Sequence, residues 1–350
     1  MDVAVVPALS VKLEPELLLL PQGSSPQQRE GKIIITNHTP GPARGTAELA
    51  LPEGWSMKPD QIAFECQREA ESAVVKFTLS IPGDLQPQQA RIRATARLDE
   101  REFSLAQQTV AYPHIWTRRL YRPAECRIRV LDVEVAQGLS VGYILGTQDL
   151  IPAALRDLGV EVDILEQADL AAGDLSQYDC IVAGVRAYAA RADLREHNQR
   201  LLRYVEDGGV YIVQYNKSYD WDPTDYAPYP AKYLRSDRIT VEESPIKILE
   251  PEHPLFKSPN RISSRDFEGW VQERGLYFWS EWDPRYRSLL SGHDPGEEPK
   301  LGGMLVAEYG KGLYVYTAYA WFRQIPAGVP GAYRLFANLI SLPQTRARDK

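Results

Sequence analysis

A change of hydrophobic rhythm between residues 113 and 130 constrains this chain more than any other feature. Upstream of it, short alternating runs recur: Lys32–Thr36 (KIIIT), Thr46–Leu51 (TAELAL), Ala73–Leu79 (AVVKFTL), Arg91–Arg97 (RIRATAR) and Glu102–Val110. Period-2 runs separated by Pro, Gly, Asn and Gln clusters predict an immunoglobulin-like β-sandwich over residues 1–113. NHTPGP and IPGD supply turn chemistry between the runs. Residues 114–128 (HIWTRRLYRPAECRI) read as a linker.

Downstream the period switches. Ser140–Gly146 (SVGYILG) reads as a buried strand, and Asp149 is placed to cap a helix whose face is Ile151, Ala154, Leu155 and Leu158. Gly159 closes that helix. Strands Val160–Leu165 (VEVDIL), Cys180–Gly184 (CIVAG) and Val210–Tyr215 (VYIVQY) follow, with a helix over Asp193–Glu206 before the last. Such alternation dictates a parallel sheet with helices on both faces, a flavodoxin-like three-layer domain over 129–343. Met304–Tyr309 and Leu313–Thr317, joined by Gly310-Lys311-Gly312, predict a hairpin. A helix after Pro330 is expected to stop before Pro343, leaving 344–350 as a disordered tail. Residues 216–302 form a long insertion with little regular pattern. Its densest part, FEGWVQERGLYFWSEWDPRY, has seven aromatics in twenty residues.

Composition narrows the function. Charged residues make up 25% and the net charge is −7, with no Lys/Arg-rich run, so nucleic acid is not an expected partner. No apolar stretch reaches the ~18 residues of a membrane helix. LLLLP at Leu17–Pro21 is too short for a signal peptide. Cys66, Cys126 and Cys180 show no paired spacing and read as small core residues. His38, His114, His197, His253 and His293 lie far apart, so no metal site is expected.

In open α/β sheets, ligands sit beyond the carboxyl ends of the strands. Gly146-Thr147-Gln148-Asp149 lacks the GxGxxG pattern, and no GxSxG elbow or phosphate loop exists, so no cofactor is expected. The architecture resembles the class I glutamine amidotransferase-like fold, in which a cysteine nucleophile occupies the turn after the fourth strand. Here that turn carries Tyr215-Asn216. Arg186 after the third strand is suited either to an anionic ligand or to an acidic residue of the insertion.

The run GYILGTQDLIPAALRDLGVEVDILEQADLAAGDLSQYDCIVAGVRAY resembles the C-terminal region of large bacterial PIG-L (LmbE-like) deacetylase-family proteins. So do FEGWVQERGLYFWSEWDPRY and FRQIPAGVPGAYRLFANLI. In that family a zinc deacetylase domain precedes a β-sandwich and an amidotransferase-like domain. LPEGW at residues 51–55 carries the sandwich likeness, to a domain attached to bacterial α-galactosidases. The resemblance runs from about Leu9 to Leu342. The zinc motif of His-Pro-Asp-Asp type is missing, so no deacetylase residue carries over. The resemblance implies an accessory region serving a deacetylase domain or subunit. Relatives look exported, whereas this chain shows no export signal, which leaves the compartment open.

The resulting expectation is a non-catalytic region binding a carbohydrate or partner at the strand ends. The candidate residues are Arg186, Tyr188, Tyr215, Asn216, Trp270, Gln272, Glu273, Arg274, Arg323 and Gln324. Phe267, Tyr277 and Phe278 are expected to be lid core. Two alternatives stand beside it. One is a hydrolase using insertion carboxylates such as Asp266 and Glu273. The other is a purely structural or oligomerisation module.

Overall fold

The computed structural model describes residues 6–23, 25–234 and 237–348. It is a β-rich, multi-sheet fold of two compact units, residues 1–131 and 132–350.

The first unit is a β-sandwich. One sheet orders Leu9–Glu14, Gln27–Asn37, Ser72–Ile81 and Ser56–Lys58. The other orders Leu17–Pro21, Glu125–Leu131, Gln88–Leu98, Ala43–Ala50 and Ile62–Cys66, with Arg101–Phe103 on the side of Gln88–Leu98. Alternation does the sorting: in Ile62–Cys66, Ile62, Phe64 and Cys66 enter the core while Ala63 and Glu65 face out. Leu9, Val11, Ile33, Ile35, Leu79 and Ile92 line the same core.

Residues 114–128 are not a linker. Glu125–Leu131 pairs antiparallel with Gln88–Leu98 and parallel with Leu17–Pro21. It delivers Cys126, Ile128 and Val130 to the core. The period-2 pattern in ECRIRVL is a strand pattern, and the sandwich needs it to finish its second sheet. Glu102–Val110 is likewise two strands, because Leu105–Val110 leaves to form a separate ribbon with Arg118–Pro123.

The second unit holds a seven-stranded sheet. Its strands are β1 (Ser140–Ile144), β2 (Glu161–Ile164), β3 (Cys180–Ala183), β4 (Val210–Gln214), β5 (Arg287–Ser288), β6 (Met304–Tyr309) and β7 (Gly312–Thr317). They stand in the order β2-β1-β3-β4-β7-β6-β5. The first five are parallel, and β6 and β5 add antiparallel. Strands β3 and β4 are buried at every position, which needs cover on both faces. Helices α1 (Ile151–Asp157), α4 (Trp321–Ala327) and α5 (Pro330–Arg348) pack together, with α5 on β3 and β4. Helix α3 (Asn198–Glu206) packs on β4 and β7, and α2 (Gln167–Ala172) joins it through Ala192–Glu196. The chain moves one way from β1 to β2 and the other way thereafter. Right-handed crossovers therefore put α1 and the α2–α3 group on opposite faces.

Local signals shift at several ends. The N-cap of α1 is Leu150, not Asp149. Asp193 binds Arg191, and the expected single helix breaks at His197. Helix α5 continues through Pro343 to Arg348. A proline forfeits one helical hydrogen bond, while Leu335, Phe336, Leu339, Ile340 and Leu342 hold the helix on the core. The backbone expected to be a disordered tail is thus helical to Arg348, and 349–350 lie outside the described residues.

The insertion is more regular than its sequence suggests. It folds as short antiparallel pairs: Ala231–Lys232 with Glu281–Trp282, Asp237–Ile239 with Gly275–Phe278, and Ile246–Ile248 with Leu290–Gly292. Asp294 staples one end, accepting from Thr240 N at 2.8 Å, Thr240 Oγ1 at 2.7 Å, Val241 N at 3.0 Å and Ser244 Oγ at 2.8 Å.

Candidate functional site

The strand order reverses between β1 and β3, where such folds ordinarily open a crevice. Here the chain fills it. A Cβ on Gly146 would stand 2.0 Å from the Val185 carbonyl oxygen, and one on Gly184 would stand 2.0 Å from Asp149 Oδ2. The Tyr143 hydroxyl donates to Asp149 Oδ2 at 2.7 Å, and Gln214 Nε2 donates to that hydroxyl at 2.9 Å. Burial pushes the Asp149 carboxyl above its ordinary range, against the pull of these hydrogen bonds.

Next to this plug, over the ends of β4 and β7, the candidate residues separate into two groups. The first group is core. Tyr188 is fully buried, its hydroxyl donating to Asn198 Oδ1 at 2.6 Å and lying 3.0 Å from the Tyr211 hydroxyl. Asn216 is fully buried and ties the backbone, accepting from Tyr188 N at 3.2 Å and donating to the Gln214 carbonyl at 3.1 Å. Trp270 is buried, its indole N–H spent on the Asp266 carbonyl at 2.9 Å. Arg274 is buried beneath it, donating to the carbonyls of Ser244 and Phe267. Burial pulls its pKa down. Gln324 accepts from Val271 N at 2.8 Å and donates to the carbonyls of Val271 and Glu273. These five are buried and shape the edge from below. Their polar atoms are bonded to neighbouring backbone or, for Tyr188, to buried side chains, as burial requires.

The second group meets at and just beneath the surface. Tyr215, itself only 6% exposed, stacks on Tyr277 with ring centroids 5.8 Å apart and planes 6° apart, and Phe322 tilts against it at 5.4 Å. Tyr277 and Phe322 are half-buried, so one side of this strip stays open. An Arg–carboxylate pair stands on each flank. Arg186 forks Asp220 at 2.7 and 3.0 Å. Arg323 donates to Glu273 at 2.8 Å and also reaches Gln272. Burial pushes the Tyr215 hydroxyl up to about 12, with Arg186 and Arg323 pulling it down and Glu273 pushing it up. Arg186, Gln272 and Tyr277 all hold left-handed backbone, at φ 54°, 66° and 58°. Non-glycine residues in that region are strained and concentrate at functional sites.

The sequence reading missed Asp220, Tyr277 and Phe322. Tyr277, expected in the lid core, is half-buried at the strip, and Trp270, expected at the ligand, is buried. A signal existed in the alternation of Gly275–Phe278, which puts Tyr277 on the face opposite Leu276 and Phe278.

The turn after β4 offers only Tyr215 and Asn216. Cys180 is fully buried with its thiol pKa raised by that burial, and Cys126 is held at about 12 for the same reason. Asp266 is buried, caps Ser263 N at 2.8 Å and pairs with Arg334 at 2.9 Å. Among the described residues no group of three His, Cys, Asp or Glu is arranged to hold a metal. No helix there is long and apolar enough to cross a membrane.

No family model matches the chain, and no curated protein does. Among solved structures it is similar to a β-galactosidase from Rahnella sp. R3, at 15% identity and a TM-score of 0.37, covering 61% of this chain and 32% of that one. A β-galactosidase from Bacillus circulans sp. alkalophilus gives 10% identity and a TM-score of 0.36, covering 62% and 32%. Native α-2-macroglobulin from E. coli gives 14% identity and a TM-score of 0.24, covering 36% and 7%. The chain spans about a third of the length of the β-galactosidases it matches.

Proposed function

We propose that this chain is a non-catalytic accessory region that binds a carbohydrate at the carboxyl edge of its parallel sheet. The observation that carries the reading is the half-buried pair Tyr277 and Phe322, backed by the buried Tyr215 ring and flanked by two Arg–carboxylate pairs. Aromatic faces stack on the apolar faces of sugar rings, while forked guanidinium and carboxylate groups bind hydroxyls. The rings and ion pairs are already in place, so little ordering entropy is lost on binding.

The five parallel strands, taken in chain order, stand 2-1-3-4-5 across the sheet, which supports a flavodoxin-like, amidotransferase-like reading of the second unit. In that reading the site occupies the place of the amidotransferase nucleophile, with Tyr215 in its stead. The resemblance to PIG-L family C-terminal regions makes a deacetylase the natural enzyme for such a region to serve.

Calorimetry of the whole chain against a panel of neutral and N-acetylated oligosaccharides tests the binding. Tyr277→Ala should weaken any affinity found by about tenfold, or 1.4 kcal/mol, with Arg323→Gln acting in the same direction. No binding across the panel, or a Tyr277→Ala protein that binds like the parent, sinks the proposal. Light scattering of the chain mixed with a PIG-L deacetylase tests the partner separately.

A further inference from the structure

The ribbon of the first unit is built unlike the rest of its sandwich. Leu105–Val110 and Arg118–Pro123 pair only with each other, as a separate two-stranded sheet. Six of the twelve exposed large apolar side chains among the described residues belong to it. Trp116 is 75% exposed and Tyr112 60%, with Ile115, Leu120, Leu105 and Tyr121 following. Clustered exposed apolar side chains mark interaction sites, whereas scattered ones do not.

The charge is one-sided as well. Between Glu102 and Glu125 there is no carboxylate, in a chain whose net charge is −7. The cations there are Arg118, Arg119 and Arg122, with no Lys among them. Any cation attracts an anionic surface, but the planar guanidinium fork matches a carboxylate with two parallel hydrogen bonds. The facing strand adds Gln108 on the face of Arg118 and Arg122, and Gln107 and Thr109 on the face of Arg119, Gln107 accepting from the Tyr121 hydroxyl at 3.2 Å. At the ribbon's base a cavity of 440 Å³ opens, with Lys12, Gln107, Gln108, Arg122 and the acidic Glu16 and Glu125 in its wall. Glu125 is already held by Arg91 and Arg93. That volume lies within the ~300–1,000 Å³ typical of small-molecule sites.

We infer that the ribbon and the cavity at its base bind a carboxylate-bearing polysaccharide. Tyr112 and Trp116 stack on sugar rings, Arg118 and Arg122 on one face of the ribbon and Arg119 on the other fork uronate carboxylates, and Gln108, on the face of Arg118 and Arg122, takes hydroxyls. The site lies in the other unit from the strand-edge strip and stands or falls independently of it. An aromatic tip with basic neighbours would also suit an anionic bilayer. Gln108 and the cavity it lines favour a hydroxyl-rich ligand.

The test titrates the whole chain with polygalacturonate, alginate and hyaluronan, using fully methyl-esterified polygalacturonate as the uncharged control. At least one acidic polymer should bind, and the ester at least about tenfold more weakly. Trp116→Ala and the double Arg118→Gln/Arg119→Gln change should each cost about tenfold or more, with thermal unfolding unchanged. Arg118→Lys/Arg119→Lys keeps the charge and loses the fork, so it should still bind several-fold more weakly. No binding to any acidic polymer overturns the proposal, as does equal binding of the ester. Full affinity in the lysine variant would mean unspecific charge attraction and also overturns it. So does a Trp116-dependent dimer, or tighter binding to phosphatidylcholine vesicles containing phosphatidylglycerol than to any polysaccharide.

Discussion

Residues 267–286 and 105–121 use their aromatic rings in opposite ways. In the first, Phe267, Trp270, Phe278, Trp279 and Tyr286 are all buried. Trp279 lies on Tyr316 with centroids 4.2 Å apart and planes 14° apart. In the second, Tyr112, Trp116 and Tyr121 stand in solvent. The difference is one of layers. The insertion lies against a seven-stranded sheet that offers Tyr314, Tyr316 and Tyr319 as partners. A two-stranded ribbon has no inside, so its rings stay exposed unless something else covers them. Aromatic density alone thus does not mark a binding face. What marks it is whether the fold behind the rings can absorb them.

The sharpest way to break this contrast is to remove one ring. Trp270→Ala should cost about 3–5 kcal/mol, the range for a large aromatic deleted from a packed core, read by urea unfolding. A loss under about 1 kcal/mol would place Trp270 at the surface and return it to the candidate site.

The insertion's core character has a second, acid-dependent signature. His253 is buried, and burial, reinforced by Arg287, pushes its pKa down from 6.5 to about 4. Its Nδ1 accepts the Leu255 N–H at 3.2 Å, so the fold holds the neutral ring. The unfolded chain binds a proton at the ordinary value and the folded one does not. Stability from this residue is therefore complete above 6.5 and falls as pH drops towards 4. Allowing for partial solvent access, the loss is about 2 kcal/mol. His253→Asn keeps a capping acceptor and should flatten stability between those limits. Asp294 acts lower. Although burial raises its pKa, hydrogen bonds from Thr240, Val241 and Ser244 outweigh that and hold it at about 2. Its contribution is lost only as pH falls from 3.8 towards that value, so the two effects separate on one titration. An unchanged slope in His253→Asn between pH 6.5 and 4 would mean the ring is solvated.

A smaller effect tests the strip itself. In the Arg186–Asp220 pair the arginine side chain is 27% exposed and the aspartate 7%. Asp220→Ala should cost about 1 kcal/mol, near the upper end for a partly screened pair. It also releases a guanidinium beside Tyr215, so an anionic oligosaccharide should bind more tightly to this variant than to the parent. Weaker binding would make Asp220 a ligand contact in its own right.

Much of this organisation is legible in the sequence. Period-2 runs followed by strand–helix alternation place the sandwich and the parallel sheet, because periodicity reports directly on which side chains share a face. The failures are tertiary. ECRIRVL has a strand's alternation, but its place between two sheet neighbours, Gln88–Leu98 and the distant Leu17–Pro21, is set only by the assembled sandwich. Arg186 was legible as a residue with two fates, but not the identity of Asp220. Trp270, Arg274 and Gln324 look like ligand residues because polar and aromatic types at a strand edge are ambiguous. Only the positions of backbone carbonyls and amides reveal that their hydrogen bonds are already used.

The ribbon supplies the smallest expected effect and the cleanest control. Trp116→Ala should change unfolding free energy by less than about 0.5 kcal/mol, because an exposed ring takes little apolar area out of water. Its optical consequence should be large by contrast. Of the seven tryptophans, Trp55, Trp221, Trp270, Trp279 and Trp321 are buried and Trp282 is half-buried. Trp116 should therefore supply most of the emission that iodide can reach, helped by the neighbouring Arg118 and Arg119, which attract the anion. Its removal should shift the spectrum to shorter wavelength and leave the half-buried Trp282 as the main emission iodide still reaches. If Trp116→Ala instead destabilises the fold by 2 kcal/mol or so, with quenching unchanged, the ring is covered in solution. The ribbon and the insertion would then no longer be opposites.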